Sequence, residues 1–176
     1  MKRVVLTGSE SVGKTTLAEQ LARHYGALVV PEFSRAFAAA HNGVVTLNDV
    51  PTIAAEHVAA EDATLAMANC RGDRLVLLDT DLISTVIYSD HYFGTCPDAV
   101  RKTAVARRAD YYLVLNIDVP WVADGVRDRG DRRDEVHGLF VAALRSFKLP
   151  FSLVRGTWSE RFRHAVVEID RLLATI

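Results

Sequence analysis

The chain has 176 residues, 49% of them hydrophobic, and a formal net charge of −1. That length supports one domain with a sizeable core and makes two domains cramped, and the near-zero charge removes any general argument for a nucleic-acid or membrane surface. Cys70 and Cys96 lack metal-ligand spacing and fit unpaired thiols in a reducing compartment better than a disulfide. No apolar run approaches membrane-spanning length, and the N-terminus reads as a strand instead of a signal peptide, so the expected location is the cytoplasm.

In chain order, residues 2–6 predict a buried strand and 15–25 a helix, with Leu17, Ala18, Leu21, Ala22 and Tyr25 at helical spacing. A second strand is expected over 27–31 and a helix over 34–40, ending near the turn residues Asn42 and Gly43. Asn48 or Asp49 with Pro51 starts a longer helix to about residue 69, stopped by Gly72. The all-apolar run 75–78 predicts a strand buried on both faces, and 81–92 a helix broken by Gly94 and Pro97. A helix over 97–109, a strand over 111–117, a charged segment over 120–133, a helix to 147, a strand over 151–154 and a helix over 159–173 follow. Such alternation predicts an α/β fold, a mostly parallel sheet with helices on both faces.

The first strand runs into Gly8-Ser9-Glu10-Ser11-Val12-Gly13-Lys14-Thr15, a complete G-x-x-x-x-G-K-[ST] P-loop, followed by Thr16 at the start of the helix. Glycines let the backbone wrap closely around phosphate, amide N–H groups and a helix N-terminus face the anion, and Lys14 adds a mobile charge. The expected ligand is a nucleoside triphosphate, with the Thr15 hydroxyl on Mg²⁺. Strand, loop and helix in that order separate this motif from a glycine-rich turn with an incidental lysine.

Parallel α/β sheets bind ligands at the carboxyl ends of their strands, which brings Gly8, Glu32 and Asp79 together by topology alone. Asp79 fits a carboxylate that holds Mg²⁺ directly or through water, the alternative being a plain strand cap. Asp81 projects to the same side as Asp79 if the strand continues, and is a candidate for substrate hydroxyls. Glu32 is a candidate base for an acceptor hydroxyl or an N-cap of the next helix, and Arg35 either clamps an acceptor phosphate or pairs with Glu32. Arg127, Arg129, Arg132 and Arg133 fall within seven residues, which suits a lid placing guanidinium groups on a transferring phosphoryl, although charged runs are more often solvated loops. His24, His41, His57, His91, His137 and His164 form no metal-ligand spacing or triad; His91 alone is expected near the acceptor. Neither cysteine has an adjacent basic cluster to activate it.

The P-loop, Glu32-Phe33-Ser34-Arg35, Asp79-Thr80-Asp81-Leu82 with Val86-Ile87-Tyr88-Ser89 and Tyr92-Phe93-Gly94, and Asp118-Val119-Pro120-Trp121-Val122-Ala123-Asp124-Gly125-Val126-Arg127 together resemble the ribosylnicotinamide kinase domain of NadR-type proteins, an AAA-like P-loop NTPase. The resemblance runs from about Arg3 to Leu173. It implies a three-layer P-loop kinase fold with a five-stranded parallel sheet in the order 2-3-1-4-5, an arginine-rich lid over about 121–134, and ATP with Mg²⁺ as cofactors. It further implies transfer of the γ-phosphate to the 5′-hydroxyl of nicotinamide riboside, giving nicotinamide mononucleotide. The sequence shows no helix-turn-helix or nucleotidyltransferase region before the kinase-like part, so repressor and adenylyltransferase activities are not expected to carry over.

On this reading Lys14 and the loop amides hold the phosphates, and Thr15 and Asp79 organise the metal. Glu32 or Asp81 orients and deprotonates the hydroxyl, and Arg127 and Arg132 stabilise the transferred group. Tyr88, Tyr92, Phe93 and Trp121 are candidates to hold a cationic pyridinium ring, each with core packing as the alternative. Two other functions stay open, a nucleotide-dependent switch or regulatory ATPase, and a kinase for another nucleoside or a vitamin alcohol.

Overall fold

Strands β1 (Lys2–Thr7), β2 (Leu28–Val30), β3 (Leu75–Asp79), β4 (Tyr111–Leu115) and β5 (Phe151–Val154) form one parallel sheet in the order β2-β3-β1-β4-β5. The structure is a computed structural model that describes residues 1–119 and 133–175. Helices α1 (Lys14–Tyr25), α2 (Phe33–Ala40), α3 (Val50–Arg71), α4 (Leu82–Phe93), α5 (Asp98–Ala106), α6 (Arg133–Ser146) and α7 (Trp158–Leu173) complete the α/β fold. The sheet order expected from the resemblance is the order found.

The continuous apolar character of β3 follows from burial on both faces. Leu75 and Leu77 join a layer with Leu17 and Leu21 of α1 and Ala165 and Ile169 of α7. Val76 and Leu78 join the opposite layer with Val86 of α4, Val100 of α5, and Phe140 and Leu144 of α6. Successive side chains point to opposite faces of a strand, so a strand enclosed by two helical layers needs apolar residues at every position. No described helix is long and apolar enough to cross a membrane.

Element ends differ from the sequence expectation where tertiary contacts take over. The strand expected over 27–31 is reduced to three residues on the sheet edge, paired from Leu28 opposite Val76 to Val30 opposite Leu78. The helix expected to reach residue 109 ends at Ala106, and Arg107 turns to the buried Glu61 of α3, which also binds Arg3. The strand expected over 111–117 ends at Leu115, after one last bond from the Asn116 amide to the Val154 carbonyl. A 3₁₀ turn at Leu47–Asp49, held by a Thr46–Asp49 capping box, precedes α3.

Candidate functional site

The link from β1 to α1 is built for close backbone approach. Gly8 has φ +126°, and a Cβ there would lie 2.8 Å from the Leu115 carbonyl oxygen. Gly13 enters α1 at φ +85° beneath the Trp158 ring, into which a Cβ would project. Side chains other than glycine are strained at such φ values, so the motif glycines are set by backbone shape and by their neighbours. Lys14 is buried, and its Nζ donates to the Ser9 carbonyl at 2.8 Å and the Gly8 carbonyl at 3.2 Å.

Register then sets the carboxylate. Leu6 of β1 lies opposite Asp79 of β3, which places Asp79 beside the loop. The Thr15 hydroxyl donates to Asp79 Oδ2 at 2.6 Å, while Asp79 Oδ1 and the Ser9 hydroxyl are buried without a hydrogen-bond partner. Burial raises the Asp79 carboxyl above its ordinary range against the Thr15 hydrogen bond; Glu32 adds to the rise, and Lys14 and Arg35 oppose it. An oxygen-only pair with an unsatisfied carboxylate oxygen fits Mg²⁺, a hard cation that takes one or two carboxylates plus phosphate oxygens and water. Among the described residues no group of three or more His, Cys, Asp or Glu side chains is disposed to hold a metal.

A cavity of about 430 Å³ opens from the P-loop between α2 and α4. Glu10, Lys14, Glu32 and Arg35 line its polar side, and Val45, Val50, Ile53, Tyr88, Tyr92 and Phe93 contribute apolar surface. Glu32 occupies the N-cap position of α2 without capping it through its side chain; its Oε2 instead accepts from Arg35 at 2.7 Å. Of the two readings of Arg35, the pairing with Glu32 is the one the structure shows, on the wall of the cavity. Tyr88 and Tyr92, one helical turn apart on α4, stack with ring centres 5.9 Å apart and planes inclined by 15°.

Asp81 departs from expectation. The strand ends at Asp79, Thr80 adopts φ +71°, and the chain turns so that Asp81 caps α4 instead of joining Asp79. Its Oδ1 accepts from the Ser84 amide at 3.2 Å and its Oδ2 from the Tyr112 hydroxyl at 2.8 Å. Asp81 is buried and absent from the cavity lining, so its carboxylate supports α4 from beneath. His91 also misses the cavity, its Nδ1 lying 3.8 Å from Glu135 of α6. Both cysteines are free thiols, Cys70 exposed and Cys96 buried. Trp121, Arg127, Arg129, Arg132 and nearly all of the expected lid lie outside the described residues.

Two neighbours of the P-loop, Arg161 and Trp158, are not legible as such in the sequence, and a third, Arg133, is expected there only as part of the lid. Arg161 of α7 is fully buried and donates to the Val12 carbonyl at 2.7 Å. Trp158 covers Gly13, and the Arg161 guanidinium lies 5.6 Å from the centre of its ring. Arg133, the last residue of the arginine run, donates to the Val119 carbonyl at 3.0 Å and reaches the Ser11 carbonyl at 3.4 Å. The available signal for Arg161 was a charge at the head of the Arg161, Ala165, Ile169 stripe, an apolar face at i, i+4 and i+8.

Comparison with known proteins agrees with this fold. Over 98% of its length the chain is 29% identical to the trifunctional NAD biosynthesis/regulator protein NadR of Escherichia coli (strain K12) and 27% identical to that of Salmonella typhimurium, covering 43% of each. It spans less than half the length of these curated relatives. Its fold superimposes on a crystal structure of NadR in complex with NR at a TM-score of 0.74 and 26% identity, covering 97% of this chain and 51% of that one. A NadR complex with NAD and AMP-PNP gives 0.73 at 25% identity, covering 98% of this chain and 49% of that one. Thymidylate kinase from Ehrlichia chaffeensis gives 0.63 at 16% identity over 98% of both chains, a likeness of fold alone. The AAA domain family matches residues 3–161, and with a P-loop kinase fold and an intact phosphate-binding loop the chain belongs to that family.

Proposed function

We propose that the protein is an ATP-dependent small-molecule kinase that phosphorylates nicotinamide riboside to nicotinamide mononucleotide. The observation that carries this reading is the cavity that Lys14 of the P-loop and Glu32 of α2 both line, an ammonium and a carboxylate on one volume. A binding module needs only the first of these, whereas phosphoryl transfer needs both. The similarity to NadR structures that contain NR, and NAD with AMP-PNP, supports the choice of donor and acceptor.

The loop amides and Lys14 bind and orient the β and γ phosphates, exchanging the carbonyl contacts that Lys14 makes within its own loop. Thr15 and Asp79 would hold Mg²⁺, which supplies charge neutralisation on those phosphates when bound. Glu32 accepts the proton of the acceptor hydroxyl, and its pairing with Arg35 fixes the direction of the carboxylate. Tyr88, Tyr92 and Phe93 form the aromatic side of the cavity, where π density favours a cationic ring. Proximity of the bound reactants is the principal catalytic device, since an in-line transfer asks little covalent chemistry of the protein.

The deciding experiment is an ATP-consumption screen across ribosides with mass detection of products. Phosphorylated nicotinamide riboside is the expected product. Hydrolysis to ADP and phosphate that no hydroxyl compound stimulates would replace the kinase with a nucleotide-dependent switch.

A further inference from the structure

In a trans peptide the C=O and N–H point opposite ways, so the Gly13 amide faces inward only if the Val12 carbonyl faces outward, and an outward carbonyl shielded from water needs a donor. The Val12 side chain and the whole of Arg161 are inaccessible to solvent, and Arg161 supplies that donor. Its other nitrogens hold the two adjoining strand exits. The Nε donates to the Gly156 carbonyl at 3.0 Å after β5, and one terminal nitrogen donates to the Asn116 carbonyl at 2.9 Å and to Asp118 after β4. Asp118 Oδ2 in turn accepts from the Gly156 amide at 2.6 Å. One planar guanidinium thus fastens the P-loop to both neighbouring loops on the ligand-binding edge of the sheet. A flexible ammonium has no equivalent of that rigid fork.

We propose that Arg161 is a positioning residue for nucleotide phosphate, holding the Val12 carbonyl outward so that the loop amides stay aimed at the anion, with Asp118 fixing the guanidinium. Arg161 touches no reacting atom; it acts through the backbone of the loop. The inference rests on the nucleotide reading above and assigns that site a further residue, 149 positions from the carbonyl it controls.

The test is calorimetric titration of the full chain with Mg²⁺–AMP-PNP, together with thermal unfolding of the free protein. Arg161→Lys retains the charge but loses the fork, and its Kd is expected to rise about tenfold, the effect of losing a charge-assisted hydrogen bond. Asp118→Asn alters a partly exposed group and is expected to raise Kd about threefold. Ile169→Val, a core change about two turns further along the same helix, is expected to lower Tm with Kd unchanged. An unchanged Kd in folded Arg161→Lys overturns the proposal, as does an equal rise in Ile169→Val, which would make the effect one of general stability. Should Arg161→Lys fail to fold, Asp118→Asn decides by the same criterion. Failure of the wild-type chain to bind AMP-PNP would instead remove the nucleotide reading itself, and this inference with it.

Discussion

The Thr15 hydroxyl donates to Asp79 Oδ2 across 2.6 Å, joining the first turn of α1 to the end of β3, while the other carboxylate oxygen is buried without a partner. A buried charge left half satisfied is tolerated at a site whose ligand completes it. Asp79→Asn is therefore expected to raise or preserve the Tm of the free protein, because it removes a charge that burial disfavours. The same variant should lose the Mg²⁺-dependent part of AMP-PNP binding. Titrations with and without Mg²⁺ check this, and an undiminished metal effect would remove Asp79 from the proposed site.

Lys14 folds back on the carbonyls of Gly8 and Ser9, which in the proposed scheme it exchanges for phosphate. Lys14→Ala is expected to abolish phosphoryl transfer while circular dichroism shows the fold retained. Unchanged turnover in a folded variant would overturn the scheme.

The Glu32–Arg35 pair sits on the cavity wall, with side-chain exposures of 21% and 40%, so its contribution to stability is small. Its expected importance is in catalysis. Glu32→Gln should lower kcat by about 10²–10⁴ while leaving nucleotide affinity near wild type, the range for loss of a general base. Steady-state kinetics with the acceptor separate the cases, since a change confined to KM would make Glu32 a binding residue.

Asp81 offers a test by pH. Burial raises its carboxyl from the ordinary 3.8 to about 6 against the hydrogen bonds from Tyr112 and Ser84, with Glu61 adding to the rise. Between these values the folded chain keeps a proton that the unfolded chain has lost, so this contribution to stability is full below pH 3.8 and declines toward pH 6. Asp81→Asn cannot ionise, and any cost of its new amide is independent of pH in that range. Its stability relative to wild type should therefore improve by roughly 3 kcal/mol across the window. Urea unfolding at pH 4, 5, 6 and 7 measures the difference; parallel profiles for the two proteins would contradict the assignment.

Gly13 and Trp158 provide a packing test. Gly13→Ala is expected to cost about 1–2 kcal/mol from its left-handed φ alone, with a further cost from the Trp158 ring. Trp158→Ala should relieve the second cost and leave the first, so the double variant is expected to be more stable than the single costs would sum to. Thermal unfolding of the four proteins closes the cycle, and strict additivity would show that the ring yields freely.

The P-loop, the order of elements and the parallel sheet were legible in sequence because each is a local pattern. Glycines at Gly8 and Gly13, a lysine at Lys14 and a two-sided apolar run at β3 report backbone shape and burial wherever the chain places them. The positions of Glu32 and Asp79 followed from topology, since parallel strands end on one edge. The same-side placement of Asp81 required β3 to continue past Asp79, whereas a single left-handed residue, Thr80, turns the carboxylate into the core. Only the tertiary structure decided that Arg35 pairs with Glu32, that Trp158 roofs Gly13, and that Arg161 holds Val12. Buried hydrogen bonds between residues far apart in the chain are chosen by which loops meet at the sheet edge, and no local spacing encodes that meeting. The sequence by itself determined that a phosphate cradle exists; the packing of α7 against it determined what keeps the cradle in shape.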